Sequence, residues 1–395
     1  MAPDPYRVFF PMGVVFGLVG ASLWPLHALG WIPYPAPLHW TLMIQGFQHC
    51  FILGFLLTAM PSFLHAERVK PVELILAAAA MLAFLAFSLA MRPAWAQASY
   101  VVTILLLAVM GVRRFRRAEP PPEEFLLVAM GLVLGLAGGL VSFLVAGGFV
   151  AEPSPRFGLH LVSMGMILSI VLGVGGLLVP TFSSMRDPLV IPGLAKPHER
   201  TPRRALYSAV AVALLAAHVL EMLGKPRVGA IVRALGGDVM LLWVWKIFRR
   251  PGVRDLLSYC LWSAGWMIFV GLLVAAFFPT KGLVAYHIIF IGGFGLLTLG
   301  IGTRVLIRHG RHPLAAEGKV LTGGVVGGLG LALIARVAAE YAPQAYLVLL
   351  GASGTIWILA LLGWARGAAD FVARIAKPAP PPARSLPRGA SPPTS

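Results

Sequence analysis

Charged residues are scarce in this sequence, and that scarcity argues against most soluble protein classes. Only 12% of the 395 residues are charged and 58% are hydrophobic, whereas soluble domains are about a quarter charged. The apolar residues form repeated stretches of about 20, the length that a helix needs to cross a bilayer. The sequence therefore predicts an all-α, polytopic membrane protein.

Cysteine is scarce as well, and the common catalytic motifs are absent. The two cysteines, Cys50 and Cys260, both lie in apolar segments, so they form neither a CxxC pair nor a disulfide framework. The sequence contains no Walker motif, no HExxH and no dinucleotide-binding fingerprint. No serine nucleophile with a triad is visible either. Any chemistry must therefore come from polar residues inside the apolar segments.

The apolar segments predict about twelve transmembrane helices in a single domain, 1–374. The first segment is too long for the apolar region of a signal peptide and lacks a small-residue cleavage site, so it is predicted to stay in the mature protein. Residues 375–395 are Pro-rich, which predicts a disordered cytoplasmic tail. The predicted helices span 8–29, 40–64, 72–91, 96–112, 125–148, 158–180, 205–223, 228–248, 256–278, 283–307, 319–341 and 345–366.

The net charge of +17 would suit a nucleic-acid partner, but its distribution indicates membrane topology instead. With the N-terminus inside, 25 of the 32 Lys and Arg residues fall in the termini and loops of the inner side, and five fall on the outer side. Cytoplasmic loops of membrane proteins carry such an excess. The pattern predicts both termini in the cytoplasm, with membrane lipid and no nucleic acid as a partner.

A histidine and a glycine recur at a fixed spacing in three of the predicted helices. His39 and Gly54, His160 and Gly175, and His287 and Gly302 are each fifteen residues apart, and the histidines are separated by 121 and 127 residues. Periods of this kind indicate internal repeats. The spacing predicts three four-helix units around a pseudo-threefold axis, with the three histidines near the outer face.

Six histidines are predicted to lie in the outer half of the membrane. A polar ring in hydrocarbon is costly and usually faces the bundle interior or a cavity. Neutral imidazole suits iron, copper and zinc, so the set predicts a metal or haem site. The alternative is hydrogen bonding between helices, or interfacial water in the case of His27. The six are His27, His39, His49, His160, His218 and His287.

His49 is predicted about 15 Å deeper than His39, by helical rise. Thr41 and Gln45 share its helix at a spacing of four and form a polar stripe. That stripe is interpreted as orienting a ligand or as lining a water-filled channel.

Charged residues inside the predicted helices divide into pairs and one isolated acid. Glu221 and Arg233 lie at similar depth across a short hairpin, so they are expected to pair for structural reasons. Arg336 and Glu340 are spaced as an i,i+4 pair. Asp238 is isolated, which suits either a proton-relay group or a hydrogen bond to a neighbouring helix.

At the second predicted helix the sequence resembles a known family. The segment LHWTLMIQGFQHCFILGFLLTAMPSF, 38–63, resembles the H-x-H-E-M…GF…GFLLTA-x-P hallmark of the NnrS family. PYRVFFPMG (5–13), GGLLVPTF (175–182) and TRVLIRHGRHPL (303–314) are similar to that family's PYRPFFL, GGRV-x-P-x-F and TRA-x-LGHTGRPL segments. These matches occur in family order along nearly the whole chain.

The resemblance implies a bacterial inner-membrane protein of twelve helices that binds haem, of the b type, and copper, and that is linked to nitric oxide metabolism and resistance. It also implies kinship with subunit I of the haem–copper oxidases, which has three four-helix arcs. By that analogy His39 and His287 are axial ligands of one haem. His160 and His218, together with His49, are ligands of copper or of a second site.

This chain departs from the family pattern within three motifs, in one of which RHGRHPL (308–314) stands in place of GHTGRPL. Thr41 and Leu42 replace the second His and the Glu of the hallmark, and Leu177 replaces the Arg after GG. An altered cofactor content is one consequence. The sequence leaves open whether the protein is catalytic, and with which redox partner. Two other functions remain open: a transporter or permease for a small solute, and a non-catalytic membrane sensor or assembly factor.

Overall fold

The chain folds as a bundle of helices, described here from a computed structural model. The structure describes residues 3–63, 66–115, 122–153, 156–183 and 197–373, without the side chains of 62, 63 and 197–202. No strand occurs in these ranges. The all-α class is therefore confirmed, whereas the predicted tail, 375–395, lies outside the described residues.

Each of the twelve predicted segments contains one principal helix, here numbered α1 to α12. Three of these helices, α2, α6 and α10, contain a π-helical segment between α-helical parts, and α8 ends in one. The helices are α1 Tyr6–Ala28; α2 Ala36–Trp40, Thr41–Gln48 and His49–Phe63; α3 Pro71–Leu89; α4 Pro93–Phe115; α5 Phe125–Ala146; α6 Phe157–Phe182; α7 Pro197–Met222; α8 Pro226–Val239 and Met240–Val244; α9 Leu256–Phe277; α10 Gly282–His309; α11 Gly323–Ala339; and α12 Tyr346–Ala373.

Most of these helices are long and apolar enough to cross a membrane. Ten qualify within the described residues, and an eleventh is formed by the short stretch Leu314–Val320 together with α11, which are bent by 46°. Helix α8 does not qualify because it carries Arg227, Arg233 and Asp238. The multi-pass membrane class is thus confirmed, and the count of twelve stays a prediction.

Helices α2 and α6 occupy the middle of the bundle. In their most apolar stretches 89% and 94% of the residues are buried, against half or less for α1, α3, α4 and α5. Helices that follow one another in the chain pack together, and α12 returns to pack against α1. One continuous apolar core extends from Tyr6 to Ala368. Residues of α2 and α6 are therefore the best placed to contact an interior site.

The predicted repeat is visible in the backbone. A π-helical segment begins directly after or two residues after each repeat histidine: Thr41–Gln48 after His39, Leu161–Ile167 after His160, and Ile288–Gly295 after His287. A π segment places an extra residue in the turn and occurs frequently at functional sites. The same irregularity therefore marks the same end of α2, α6 and α10.

The glycines of the repeat have a packing role. A Cβ atom at Gly54 would lie 2.6 Å from the ring of Phe10, and one at Gly302 would lie 3.3 Å from Trp364. At Gly175 a Cβ would overlap the ring of Trp245. Each glycine thus leaves room for an aromatic ring of a neighbouring helix, which accounts for its recurrence.

Replacing Gly175 by alanine should destabilise the fold by about 1–3 kcal/mol, the usual cost of overpacking a core. Trp245 is fully buried and its Nε1 donates a hydrogen bond to the Leu172 carbonyl, 3.2 Å, so its ring has little freedom to move. Thermal unfolding of the detergent-solubilised protein measures the effect. Gly330→Ala in α11 is the control, since nothing lies within 4 Å of its Cβ. Equal melting temperatures for the two variants would contradict this packing role.

Candidate functional site

The three repeat histidines line one cavity. It has a volume of about 740 Å³ and lies between the helices at one end of the bundle, here called the histidine end. His39, His160 and His287 all contribute to its wall. Aromatic side chains supply much of the remaining wall, among them Trp24, Trp40, Phe47, Tyr286, Phe290 and Trp357. The volume is within the range of small-molecule and cofactor sites.

The rings of His39 and His287 are held in the same way. Nδ1 of His39 donates to the Gly20 carbonyl, and Nδ1 of His287 donates to the Leu283 carbonyl, both at 2.8 Å. Because a carbonyl oxygen can only accept, each bond places the ring proton on Nδ1. Nε2 then keeps its lone pair and is free to act as a ligand atom.

Three further ligand groups lie together beside the cavity. The candidate ligand atoms of His160, His218 and Glu221 are all within 4.8 Å of one another, and these residues are here called the histidine–glutamate cluster. Nδ1 of His160 lies 2.8 Å from a carboxylate oxygen of Glu221. Nε2 of His218 is buried and has no hydrogen-bond partner. An unpartnered imidazole nitrogen inside a bundle is costly, so its position suits a metal ligand.

The cluster also contacts a cation and a phenol. Arg233 donates to the second carboxylate oxygen of Glu221, so the predicted pairing of these two residues is confirmed. The Tyr286 hydroxyl lies 3.1 Å from Nε2 of His160. Arg233 already balances the charge of Glu221, and a cation in the cluster would share that carboxylate with it.

Sequence reasoning missed two of these contacts. Glu221 follows His218 by three residues on α7, a spacing that places both on one helix face and that is visible in the sequence. Tyr286 directly precedes the repeat histidine His287, but nothing in the sequence shows that it reaches His160.

The structure does not bring His49 to the other predicted metal ligands. His49 is fully buried, both of its ring nitrogens lack a hydrogen-bond partner, and its ring packs edge-on against Tyr100 at 5.0 Å. It is neither in the cavity wall nor in the histidine–glutamate cluster. Its assignment as a ligand stays a prediction.

The side chains of the polar stripe beside His49 form hydrogen bonds within the protein. The amide of Gln45 exchanges two hydrogen bonds of 2.8 Å with the amide of Gln97. The hydroxyl of Thr41 donates to the Pro37 carbonyl at 2.9 Å. Gln48 lines the cavity instead, and its amide oxygen accepts a 2.8 Å hydrogen bond from Thr298.

Two other predicted groups have unpartnered atoms. Oδ1 of Asp238 is buried with no hydrogen-bond partner, and its role in a proton relay stays a prediction. Arg336 and Glu340 interact electrostatically, as their spacing predicted, but they form no salt bridge within 4 Å in the described part of the chain. Arg336 lines the cavity instead.

The residues of the cavity fit a haem. Two imidazoles present free Nε2 atoms, the wall is largely aromatic and apolar, and one buried arginine is available for an anionic substituent. The histidine–glutamate cluster fits a copper ion less completely. Two imidazoles and a carboxylate are suitable donors, but Glu221 is already paired with Arg233.

The helices and the cavity together define a class: a polytopic, all-α membrane protein with a histidine-lined interior site. The sequence model described as NnrS protein matches residues 2–375, nearly the whole chain. The chain therefore belongs to the NnrS family, and this membership supports a membrane function related to nitric oxide. No curated protein matches the chain.

Replacing Glu221 by alanine should lower the temperature at which the histidine end unfolds. Glu221→Ala leaves Arg233 as a buried charge without its carboxylate, which costs about 3–5 kcal/mol. Glu152→Ala, which removes an exposed carboxylate, should change stability by about 0.5 kcal/mol or less. Replacing Glu221 and Arg233 together by leucine should recover part of the loss in thermal unfolding. A double variant less stable than Glu221→Ala would contradict this pairing.

Proposed function

We propose that this chain binds a b-type haem in its cavity, between His39 and His287, and acts in nitric oxide metabolism, resistance or redox response. The observation that supports this most is that two imidazoles from distant helices line one cavity with the same Nδ1-to-carbonyl bond. Such a bond raises the basicity of Nε2 and fixes the ring plane. Two rings prepared in the same way would both be able to hold the haem iron.

Haem iron held by histidine binds nitric oxide or passes electrons, according to its distal surroundings. The residues of this chain would supply the setting for that chemistry. The wall is largely aromatic, and the Trp24 ring contacts the His39 ring edge-on at 5.7 Å. Two imidazoles would leave no open position on the iron, so this haem suits electron transfer. Nitric oxide, or another small gas ligand, is proposed as a partner of the protein. The redox partner is not identified by any residue of the cavity.

We propose that the histidine–glutamate cluster is the site for copper. The buried, unpartnered Nε2 of His218 supports this assignment, together with the proximity of His160 and Glu221. His160 and Glu221 belong both to the cluster and to the cavity wall. A copper ion there would therefore lie directly beside the haem cavity.

We propose a bacterial inner-membrane location with both termini in the cytoplasm. The support is the excess of Lys and Arg in alternate loops, which marks the cytoplasmic side. The histidine end is then on the periplasmic side. The basic residues serve this topology, and no nucleic acid is proposed as a partner.

Protein purified from haem-replete cells should show a Soret band, and His39→Ala or His287→Ala should remove most of it. The reason is that each variant deletes one of two proposed axial nitrogens. His27→Ala is the matched control, since His27 bonds to the Ile32 carbonyl at 3.0 Å and is not in the cavity wall. Wild-type protein without haem would contradict the proposal. It would favour a transporter, for which the buried Asp238 is the supporting residue.

Copper bound to the purified protein should be lost in His218→Ala. Removing one of three ligands should weaken copper binding by at least about tenfold, as even the loss of an outer partner does. Copper content after dialysis, measured by mass spectrometry, tests this. His49→Ala should retain the copper, because His49 lies apart from the cluster. Loss of copper in His49→Ala and its retention in His218→Ala would contradict the assigned ligand set.

A further inference from the structure

Arg336 is a buried cation that no carboxylate of the described structure contacts; Glu340 acts on it only from beyond salt-bridge distance. It lies near the end of α11, with 5% of its surface exposed. Its Nη1 atom is buried and has no hydrogen-bond partner. Glu340, one turn further on, forms no ion pair with it in the described part of the chain. An uncompensated buried charge is strongly destabilising, so a partner is expected.

The two other buried arginines of the described structure are each paired with a carboxylate. Arg114, also 5% exposed, donates to Glu73 at 2.8 Å and to three backbone carbonyls. Arg233 donates to Glu221. Both guanidinium groups are therefore balanced by a carboxylate of this chain. Arg336 differs because no carboxylate of the described chain is in contact with its guanidinium.

The position of Arg336 indicates where its partner would come from. Arg336 is part of the wall of the cavity that His39 and His287 also line. A negative group on the molecule in that cavity can therefore reach it. The planar guanidinium matches a carboxylate best, with two parallel hydrogen bonds. Haem carries two propionate carboxylates at one edge of the macrocycle, and no other part of it is anionic.

We propose that Arg336 binds a propionate carboxylate of the haem, an inference that rests on the proposed function. The pairing balances the buried guanidinium and fixes the rotation of the macrocycle about the axis between the two imidazoles. Arg336 thus acts as a positioning residue at the histidine end.

Two other arginines in the cavity wall are less suited to this role. Arg156 and Arg227 are exposed, and the Arg156 guanidinium already lies over the Trp40 ring at 3.6 Å. An ion pair at an exposed position is screened by water and salt and contributes little. The buried position of Arg336 makes its pairing the stronger one.

The test compares haem with haem dimethyl ester, in which both carboxylates are blocked. Haem-free protein in detergent is titrated with each porphyrin, and the Soret absorbance gives the dissociation constant. Arg336→Gln should weaken haem binding about tenfold or more, as expected for a hydrogen bond to a charged group. It should change binding of the ester by less than about threefold. Arg336→Lys keeps the charge and should lose less affinity for haem than Arg336→Gln does.

Arg92→Gln is the control, because it removes an exposed positive charge outside the cavity wall and should leave both constants unchanged. An equal loss for haem and ester in Arg336→Gln would show that Arg336 only supports the fold, and no loss for either would show that it binds no carboxylate. Either result would overturn the inference about Arg336 without contradicting the proposal that the protein binds haem. Wild-type protein that binds neither porphyrin would overturn the proposed function and this inference with it.

A second measurement separates binding from folding. Haem-free Arg336→Leu should melt at the same temperature as haem-free wild type or higher, since the substitution removes an unpaired buried charge. Haem should then raise the melting temperature of wild type more than that of the variant, because stabilisation by a ligand follows its affinity. A haem-free variant that melts several degrees lower would assign Arg336 a structural role and overturn the proposal.

Discussion

The histidine end depends on one interaction, the hydrogen bond from an imidazole Nδ1 to a backbone carbonyl. It occurs at His39, His218 and His287, each time at 2.8 Å. Inside a bilayer a polar group must find its partner within the protein, and this bond satisfies only one of the two ring nitrogens. Nε2 of His218 is buried without a partner, and no described residue bonds to Nε2 of His39 or His287. The rings are thus oriented by the backbone and are incomplete without a further group.

The π-helical segments and the repeat glycines place these rings. Helices α2, α6 and α10 each change from α to π geometry just after their histidine. Further along, Gly54, Gly175 and Gly302 admit aromatic rings from neighbouring helices. The close packing lies toward the other end of these helices, and residues of the π-helical segments line the cavity at the histidine end. The repeat therefore recurs for packing reasons as well as for the site.

The sequence was sufficient for the helices and for the three repeat histidines, because apolar length and a fixed spacing are properties of the chain itself. The pairing of Glu221 with Arg233 also followed, since a short hairpin sets their relative depth. Contacts between distant helices could not be derived. Tyr286 on α10 contacts His160 on α6, and Arg336 lines the cavity without a salt bridge to Glu340, because side-chain direction depends on packing rather than on spacing. His49 shows the same limit: its place on a buried helix was predictable, and its surroundings were not.

His160 and Glu221 belong to two places at once, the wall of the cavity and the histidine–glutamate cluster. A molecule bound on one side of these residues would therefore act on groups that also face the other side. By thermodynamic linkage, a molecule in the cavity and an ion in the cluster must then alter each other's affinity by the same factor. Binding in the cavity and binding in the cluster would then be coupled, and the occupancy of one site would depend on the occupancy of the other.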